Sequence, residues 1–212
     1  MPSAGSAGEV LDPLGPTWEA LAAAAPDEVA RRSRCALAPD GRTFLVPFID
    51  GAYLVNPATR TIRPADAKDT GRVNLEVGIV LLSYLVRAED VSLAGKWITE
   101  KNLPSAGGAA SRGDLDLHPH EELARAFGDR PEALVEVGRA IGARDILGAA
   151  DATVQLNVLP RVPVRIQLWA RDDEFDAHAT ILFDASIKHQ LAPDAMRAMV
   201  SRLVKRLCCA VV

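Results

Sequence analysis

The densest group of potentially reactive side chains in this sequence is an acidic run that follows an apolar segment ending at Trp169. Asp172, Asp173 and Glu174 open the run, and Asp184 comes after the next apolar segment. Carboxylates at the ends of strands can bind a hard divalent cation or hold one another's pKa values apart for acid–base work. The run lacks the spacing and central glycine of an EF-hand. It predicts either a divalent-metal site or a solvated hairpin loop in which Asp173 or Asp176 caps a turn.

A second candidate is a pair of histidines, His118 and His120, on either side of a proline that fixes the local backbone. Alternate residues of an extended segment share a face, so both imidazoles can approach one metal ion. The alternative is that both are ordinary polar residues at the start of a helix. The sequence identifies no third ligand for them.

The known signatures of covalent catalysis and phosphate binding are missing. The chain has neither a G-x-x-x-x-G-K-[ST] loop nor a G-x-S-x-G elbow. Its three cysteines, Cys35, Cys208 and Cys209, form no CxxC pair, which excludes a disulfide framework and a CxxC zinc or iron–sulfur motif. Cys209 opens a C-a-a-X pattern, but the terminal valine is not preferred for prenylation, so we interpret both terminal cysteines as a helix end.

Alternating apolar and polar residues predict the strands that carry these groups. Residues 152–158 and 164–169 alternate cleanly, as in a strand pair with one buried face. Residues 180–183 predict a further short strand. An Asp50-Gly51 turn signal joins two earlier segments into an antiparallel meander. The strands expected in that meander are 43–48, 52–55 and 59–62.

The helical segments complete the predicted architecture, an α+β fold in which helices pack on a mainly antiparallel sheet. Residues 73–88 are apolar on nearly all sides and predict a buried helix. The other expected helices are 18–32, divided at Pro26, 119–127, 131–141 and 193–207. We expect residues 17–212 to form a single domain after a flexible leader, 1–16, with a long irregular loop at 104–118.

Composition narrows the class of protein. The chain has 212 residues, 49% of them hydrophobic and 25% charged, which suffices for a real core. A net charge of −4 and an aromatic content of 5% argue against binding to nucleic acid. Residues 73–86 form the longest apolar stretch, shorter than the roughly 20 residues of a membrane span. With no signal-peptide pattern at its start, the sequence predicts a cytoplasmic protein without a transmembrane segment.

One stretch resembles a known family. It runs through Leu159-Pro160-Arg161-Val162-Pro163, Leu168-Trp169, 172–175 and 181–186. This pattern resembles DUF3786, a bacterial and archaeal domain of unknown function, and the similarity extends over about residues 18 to 207. Upstream parts of the resemblance are 48–55, 80–85 and 95–97. Members are typical of anaerobes, and some carry an iron–sulfur domain of the type seen in corrinoid proteins. The resemblance therefore implies a redox or tetrapyrrole-related accessory role, although three cysteines make an iron–sulfur cluster in this chain improbable.

The leading hypothesis is an accessory protein that binds a small cofactor, such as the tetrapyrroles heme or a corrinoid, or a redox or corrinoid protein partner. We expect the site between the 159–184 hairpin and the 104–120 loop. Arg161 and Arg171 would pair with carboxylates of an anionic ligand. Trp169 would provide a flat wall, unless it simply packs on the sheet face. His118 or His120 would supply an axial imidazole.

Two rival hypotheses use other parts of the chain. A metal-dependent enzyme would use Asp172, Asp173, Glu174 and Asp184, with the cation lowering the pKa of a bound water. A protein–protein module would dock through the helix at 193–207, whose methionines could adapt to a partner. The simpler interpretation of that helix is that its apolar stripe packs on the protein's own core.

Overall fold

The structure, a computed structural model, describes residues 14–66, 73–102, 119–148 and 150–210. Its helices are α1 (Gly15–Ala23), α2 (Pro26–Ser33), α3 (Leu75–Arg87), α4 (Pro119–Phe127), α5 (Pro131–Ala140) and α6 (Pro193–Cys208). Its strands are β1 (Ala36–Leu37), β2 (Phe44–Phe48), β3 (Gly51–Asn56), β4 (Thr61–Pro64), β5 (Trp97–Thr99), β6 (Arg144–Asp145), β7 (Ala152–Leu159), β8 (Val162–Trp169) and β9 (His178–Asp184). The described parts of the chain contain no helix that combines the length and apolar character needed to cross a membrane.

The first sheet is the predicted antiparallel meander with one strand added. Its order is β1-β2-β3-β4, and Phe48 pairs with Gly51 across the turn that the Asp50-Gly51 signal predicts. Val46 and Val55 are buried on its inner face, whereas Leu45 and Leu54 are partly exposed on the other. The two-residue β1 extends the predicted meander.

The second sheet has the order β5-β9-β8-β7-β6, and every neighbouring pair is antiparallel. The predicted alternation is confirmed, because Val154, Leu156 and Ile166 are buried on one face. On the opposite face, which we call the outer face, Gln155 and Arg165 are partly exposed. The short edge strands β5 and β6 were not predicted.

The β8–β9 hairpin has two ends that matter for the candidate site. Trp169 pairs with His178 at the loop end, from which residues 170–177 project. Val164 pairs with Phe183 at the turn end, where residues 160–161 join β7 to β8. Because a strand rises about 3.3 Å per residue, the five steps between these pairs separate the ends by about 17 Å.

Helices α3 and α6 form the centre of the helical layer. The side chain of Asn74 accepts a hydrogen bond from the Val77 amide at 3.0 Å and so caps α3. Helix α6 packs against α3, and its residues Met196, Met199 and Leu203 are buried in the core. The methionine stripe therefore packs inside the protein and is not a free docking surface.

Helix α4 packs against β9, and α5 packs against β7. These contacts join the helices to the second sheet. Gly138 lets α5 approach closely, since a Cβ at this position would lie 3.2 Å from Val154 Cγ1. Gly128 follows α4 at a tighter contact, because a Cβ there would lie 2.3 Å from the Ala177 Cβ. Both helices begin at a proline, where the missing N–H is not needed.

A single core joins the two sheets, which confirms the α+β prediction. The Ile49 amide donates to the Val158 carbonyl oxygen at 2.9 Å, and Arg206 of α6 pairs with Asp50 at 2.7 Å. Gly15 already belongs to α1, so the helix starts inside the predicted leader. The rest of that leader up to residue 13, and the predicted loop at 104–118, lie outside the described residues.

Candidate functional site

Trp169 lies at the loop end of the β8–β9 hairpin, on the outer face of the sheet. Its ring stacks on that of His178, with the centroids 4.4 Å apart and the planes inclined by 11°. Register produces this stack, because the two residues are directly opposite on neighbouring antiparallel strands. The sheet therefore holds a flat aromatic surface in a fixed orientation, with Trp169 in the sheet-face position that the sequence left open.

His120 lies at the same end of the hairpin, in the first turn of α4. Its Nδ1 is 3.1 Å from the carbonyl oxygen of Ala179, the residue that follows His178. A carbonyl oxygen can only accept, so Nδ1 carries the proton and Nε2 of the neutral ring keeps its lone pair. Metal-binding histidines use the same arrangement, in which a hydrogen bond at one nitrogen orients the other.

Arg171 is the third predicted binding residue at this end. Its side chain is 57% exposed and lies 3.6 Å from a carboxylate oxygen of Asp129 and 3.5 Å from one of Asp176. Exposed ion pairs of this length contribute little, so the guanidinium can exchange these partners for a ligand carboxylate. We call His120, Trp169, Arg171 and His178 the hairpin-end cluster.

The acidic run itself forms a tight turn. The carboxylate of Asp172 accepts hydrogen bonds from the amides of Glu174 and Phe175, at 2.9 and 2.7 Å. The Asp172 amide donates to the Phe175 carbonyl oxygen at 3.1 Å and closes the turn. Asp173 and Glu174 point into solvent, and the Phe175 side chain is 69% exposed. A carboxylate thus caps the turn, as the alternative interpretation expected, but the capping residue is Asp172 and not Asp173 or Asp176.

Asp184 lies at the opposite end of the hairpin and is 3% exposed. One carboxylate oxygen accepts from the amides of Ala94 and Ser186, both at 2.9 Å, and the other accepts from Gly95 at 2.7 Å. Burial raises the pKa of Asp184, but the hydrogen bonds from Ser186, Ala94 and Gly95 together outweigh it and leave the pKa below its ordinary value. The carboxylate thus holds the chain at residues 94–95 and also caps the turn that begins after β9.

The fold therefore corrects the expectation of one metal site built from four carboxylates. The hairpin places Asp184 at the turn end and Asp172, Asp173 and Glu174 at the loop end, about 17 Å along the strands. One cation cannot contact both groups. Within the described ranges, three or more His, Cys, Asp or Glu side chains do not come together in a way that could hold a metal ion.

Arg161 also differs from its predicted place. It lies in the turn between β7 and β8, at the turn end, whereas Arg171 is at the loop end, so the two cannot bind one small ligand together. Its side chain is 6% exposed, pairs with Asp90 and donates to the Val91 carbonyl oxygen at 3.2 Å. Arg161 and Asp184 thus both hold residues 88–96, the segment that leads from α3 to β5.

The outer face carries a second arrangement of aromatic and charged groups. The Arg165 guanidinium lies over the Trp97 ring, 4.1 Å from its centroid. It also donates to the Gln155 side chain at 2.9 Å. Register places these groups side by side, because Arg165 pairs with Gln155 on one side and Leu182 on the other. The sheet thus orients a cation on its outer face through stacking and one hydrogen bond.

Comparison with family models gives a match that covers most of the chain. The model described as "Domain of unknown function (DUF3786)" covers residues 25–206. The chain belongs to the DUF3786 family. Neither the curated proteins nor the solved structures contain a match to it.

The region matched to DUF3786 includes every residue of the hairpin-end cluster and of the outer-face arrangement. Sequence reasoning on this DUF3786 chain found His120, Trp169 and Arg171 but missed Arg165 and Trp97. The alternation of β8 placed Arg165 on the polar face of the sheet, and this was the signal in the sequence that could have identified it. Trp97 belongs to a three-residue strand without periodicity, so the pairing was not visible. His118 lies outside the described residues.

Proposed function

We propose that this protein is a cytoplasmic accessory protein that binds a tetrapyrrole, either heme or a corrinoid, at the hairpin-end cluster. The observation that carries the proposal is the hydrogen bond from His120 to Ala179. It fixes the imidazole and leaves Nε2 as a free electron-pair donor that would bind the metal of the tetrapyrrole.

Trp169 and Arg171 supply the other contacts that such a ligand requires. One face of Trp169 is covered by His178, and its other face can pack against a flat macrocycle. Arg171 can pair with a carboxylate on the ligand, because its present partners are distant and exposed. Arg161 takes no part in this site, since it is buried at the opposite end of the hairpin.

A spectroscopic titration tests the proposal. Purified protein is mixed in turn with ferric heme and with aquocobalamin, and the visible spectrum is recorded. We expect a saturable shift of the main absorption band of at least one of them. His120→Ala should abolish the shift, because it removes the nitrogen that would bind the metal.

His189→Ala is the matched control, since His189 lies elsewhere and pairs with Glu89 at 3.0 Å. That variant should bind like the parent protein. The proposal is overturned if neither compound shifts, or if His120→Ala and His189→Ala behave alike. Trp169→Leu should weaken binding but leave the wavelength of the shifted absorption band unchanged, because the Trp169 side chain would contact the macrocycle and not the metal.

Phe175 favours a second candidate function at the same end of the hairpin, docking of a basic redox protein. Its ring is exposed, and its neighbours in the sequence are the exposed acidic residues Asp173, Glu174 and Asp176. An apolar centre within a charged rim is the usual composition of a transient protein interface. The closed turn at Asp172 presents the ring without a large ordering cost.

Titration with a basic c-type cytochrome, followed by light scattering or heme absorbance, tests this second function. We expect weak binding that declines with added salt. Phe175→Ser should remove the binding, whereas Leu93→Ser, which alters another exposed apolar side chain, should leave it unchanged. Equal binding by both variants rules out the docking surface.

A further inference from the structure

A depression of about 440 Å³ lies between α5 and the chain at residues 145–148 and 150–151. One stripe of α5 forms its first wall, with Glu132, Val135, Glu136 and Arg139 spaced along a single helix face. Ile146 and Leu147 belong to the facing wall. The volume falls within the range of small-molecule sites in proteins.

The charge of the depression is strongly negative. Four carboxylates line it, those of Glu132, Glu136, Asp145 and Asp151, against the single guanidinium of Arg139. Arg139 is already paired with Asp145 at 3.2 Å. Among the described residues, Glu132 and Glu136 have no ion-pair partner. One helical turn separates the two residues and places their Cβ atoms about 6 Å apart, so both side chains can reach one ammonium group.

The lining also exposes apolar surface. The Leu147 side chain is 99% exposed, and Val135 and Ile146 are only half-buried. A leucine in water at the rim of a depression loses its unfavourable hydration when an alkyl chain covers it. The occupant that fits this lining therefore combines positive charge with aliphatic carbon.

A buried hydroxyl points to a further polar contact. Thr153, which also lines the depression, is 2% exposed, and its Oγ1 has no hydrogen-bond partner. The hydroxyl lies close to Gly148, which also lines the depression, since a Cβ built on that glycine would be 3.5 Å from Oγ1. Buried hydroxyls without a partner are uncommon, and a ligand N–H would satisfy this one.

From these observations we propose that the depression binds an aliphatic polyamine, a chain of methylene groups that carries at least two ammonium groups. One ammonium lies between Glu132 and Glu136, and the chain covers Val135 and Leu147. A second nitrogen donates to Thr153. The site shares no residue with the hairpin-end cluster. The polyamine proposal therefore goes beyond the tetrapyrrole proposal and is tested independently of it.

Calorimetric titration of the full chain with spermidine tests the proposal. We expect saturable binding with one site per chain that weakens as salt is added. Removing both free carboxylates with Glu132→Gln and Glu136→Gln should weaken it at least about fivefold, since two ion pairs are lost. Thr153→Val, which preserves shape, should weaken it by a smaller factor. Magnesium ions alone should not displace spermidine at equal concentration.

The matched control removes the same charge elsewhere, through Asp173→Asn and Glu174→Gln in the exposed turn. This double variant should bind spermidine within about twofold of the parent, because its carboxylates lie outside the depression. Equal weakening by the two double variants would mean that only the overall charge matters and would overturn the proposal. So would the absence of saturable binding, or displacement by magnesium. Circular dichroism on each variant verifies that the fold is retained.

Discussion

Two charged residues of this protein, Arg161 and Asp184, act as anchors for the backbone. Each is buried, and each makes hydrogen bonds to residues 88–96, which have no regular structure of their own. A segment without a backbone ladder must satisfy its amides and carbonyls through side chains. This explains why a carboxylate and a guanidinium are placed where sequence reasoning expected ligands.

Replacing Asp184 by asparagine should lower the free energy of unfolding at pH 7 by about 1–3 kcal/mol, because an amide nitrogen then faces backbone donors. Since the pKa of folded Asp184 is lowered, its contribution is complete above the ordinary aspartate pKa of about 3.9 and is lost as the pH falls through the lowered value. The difference between the two proteins should therefore narrow on acidification. Urea unfolding at several pH values measures this.

Asp173→Asn serves as the control for Asp184→Asn, because Asp173 is exposed in the turn. Its urea midpoint should match that of the parent at each pH. The anchoring role would be contradicted if the parent protein and Asp184→Asn had the same free energy of unfolding at pH 7. It would also be contradicted if the difference between them stayed constant down to pH 2.

Tyr84 ties α3 to two other elements through one hydroxyl. The hydroxyl donates to the Ser33 carbonyl oxygen at 2.7 Å and accepts from the Arg161 amide at 3.1 Å. Tyr84→Phe should lower the free energy of unfolding by about 1–3 kcal/mol, because both backbone groups stay buried without a partner. Burial raises the pKa of Tyr84, so in a Tyr53→Phe variant, where Tyr84 is the remaining tyrosine, the absorbance at 295 nm should change only as the protein unfolds at alkaline pH. Ionisation of Tyr84 within the folded protein would contradict this description.

At the scale of elements, the contact between α4 and the hairpin loop allows no added side chain. A Cβ on Gly128 would lie 2.4 Å from the Ala124 carbonyl oxygen as well as against Ala177. Gly128→Ala should destabilise the protein by about 1–3 kcal/mol through overpacking, and Gly138→Ala by less, since its contact with Val154 is looser. Gly15→Ala, which meets nothing within 4 Å, should be neutral. Urea midpoints that fail to follow this order would contradict the described packing.

Helix α2 ends at Arg34, which adopts a left-handed backbone with φ of 57°. Glycine occupies this conformation without the steric cost that an L-residue bears. Arg34→Gly should therefore raise the melting temperature, with a gain of up to about 1 kcal/mol, whereas Arg34→Val should lower it. Arg34 is exposed, so packing changes little in either variant. Equal melting temperatures for the two variants would show that the end of α2 is not under strain.

The helices could be predicted because strong local signals mark them, such as the prolines that begin α2, α4, α5 and α6. Strands β7 and β8 were equally visible through their alternation. Strands β1, β5 and β6 have two or three residues and owe their existence to pairing with distant strands. The candidate site was half predictable for the same reason. Trp169 and Arg171 lie at one end of a local hairpin, and His120 joins them there from α4 by its contact with Ala179. The separation of Arg161 and Asp184 from that end follows from the register of the hairpin.

At the scale of the whole molecule, the two sheets share one core and should unfold together. Trp18 in α1 is buried beside α3, whereas Trp97 and Trp169 lie on the second sheet. In a variant with both Trp97→Phe and Trp169→Phe, the tryptophan fluorescence reports on Trp18 alone. We expect this fluorescence to change at the same urea concentration as the far-ultraviolet circular dichroism. An earlier transition at Trp18 would mean that the first sheet and its helices unfold independently.

The shortness of the outermost strands has a consequence for the protein at high concentration. Strands β1, β5 and β6 have only two or three residues, and β4 ends at Pro64, which has no amide to donate. A neighbouring chain therefore finds no long row of unpaired backbone groups along these strands on which to add itself. Edge-to-edge stacking into fibrils is thereby disfavoured by geometry alone, without any need for a partner to cover the edges.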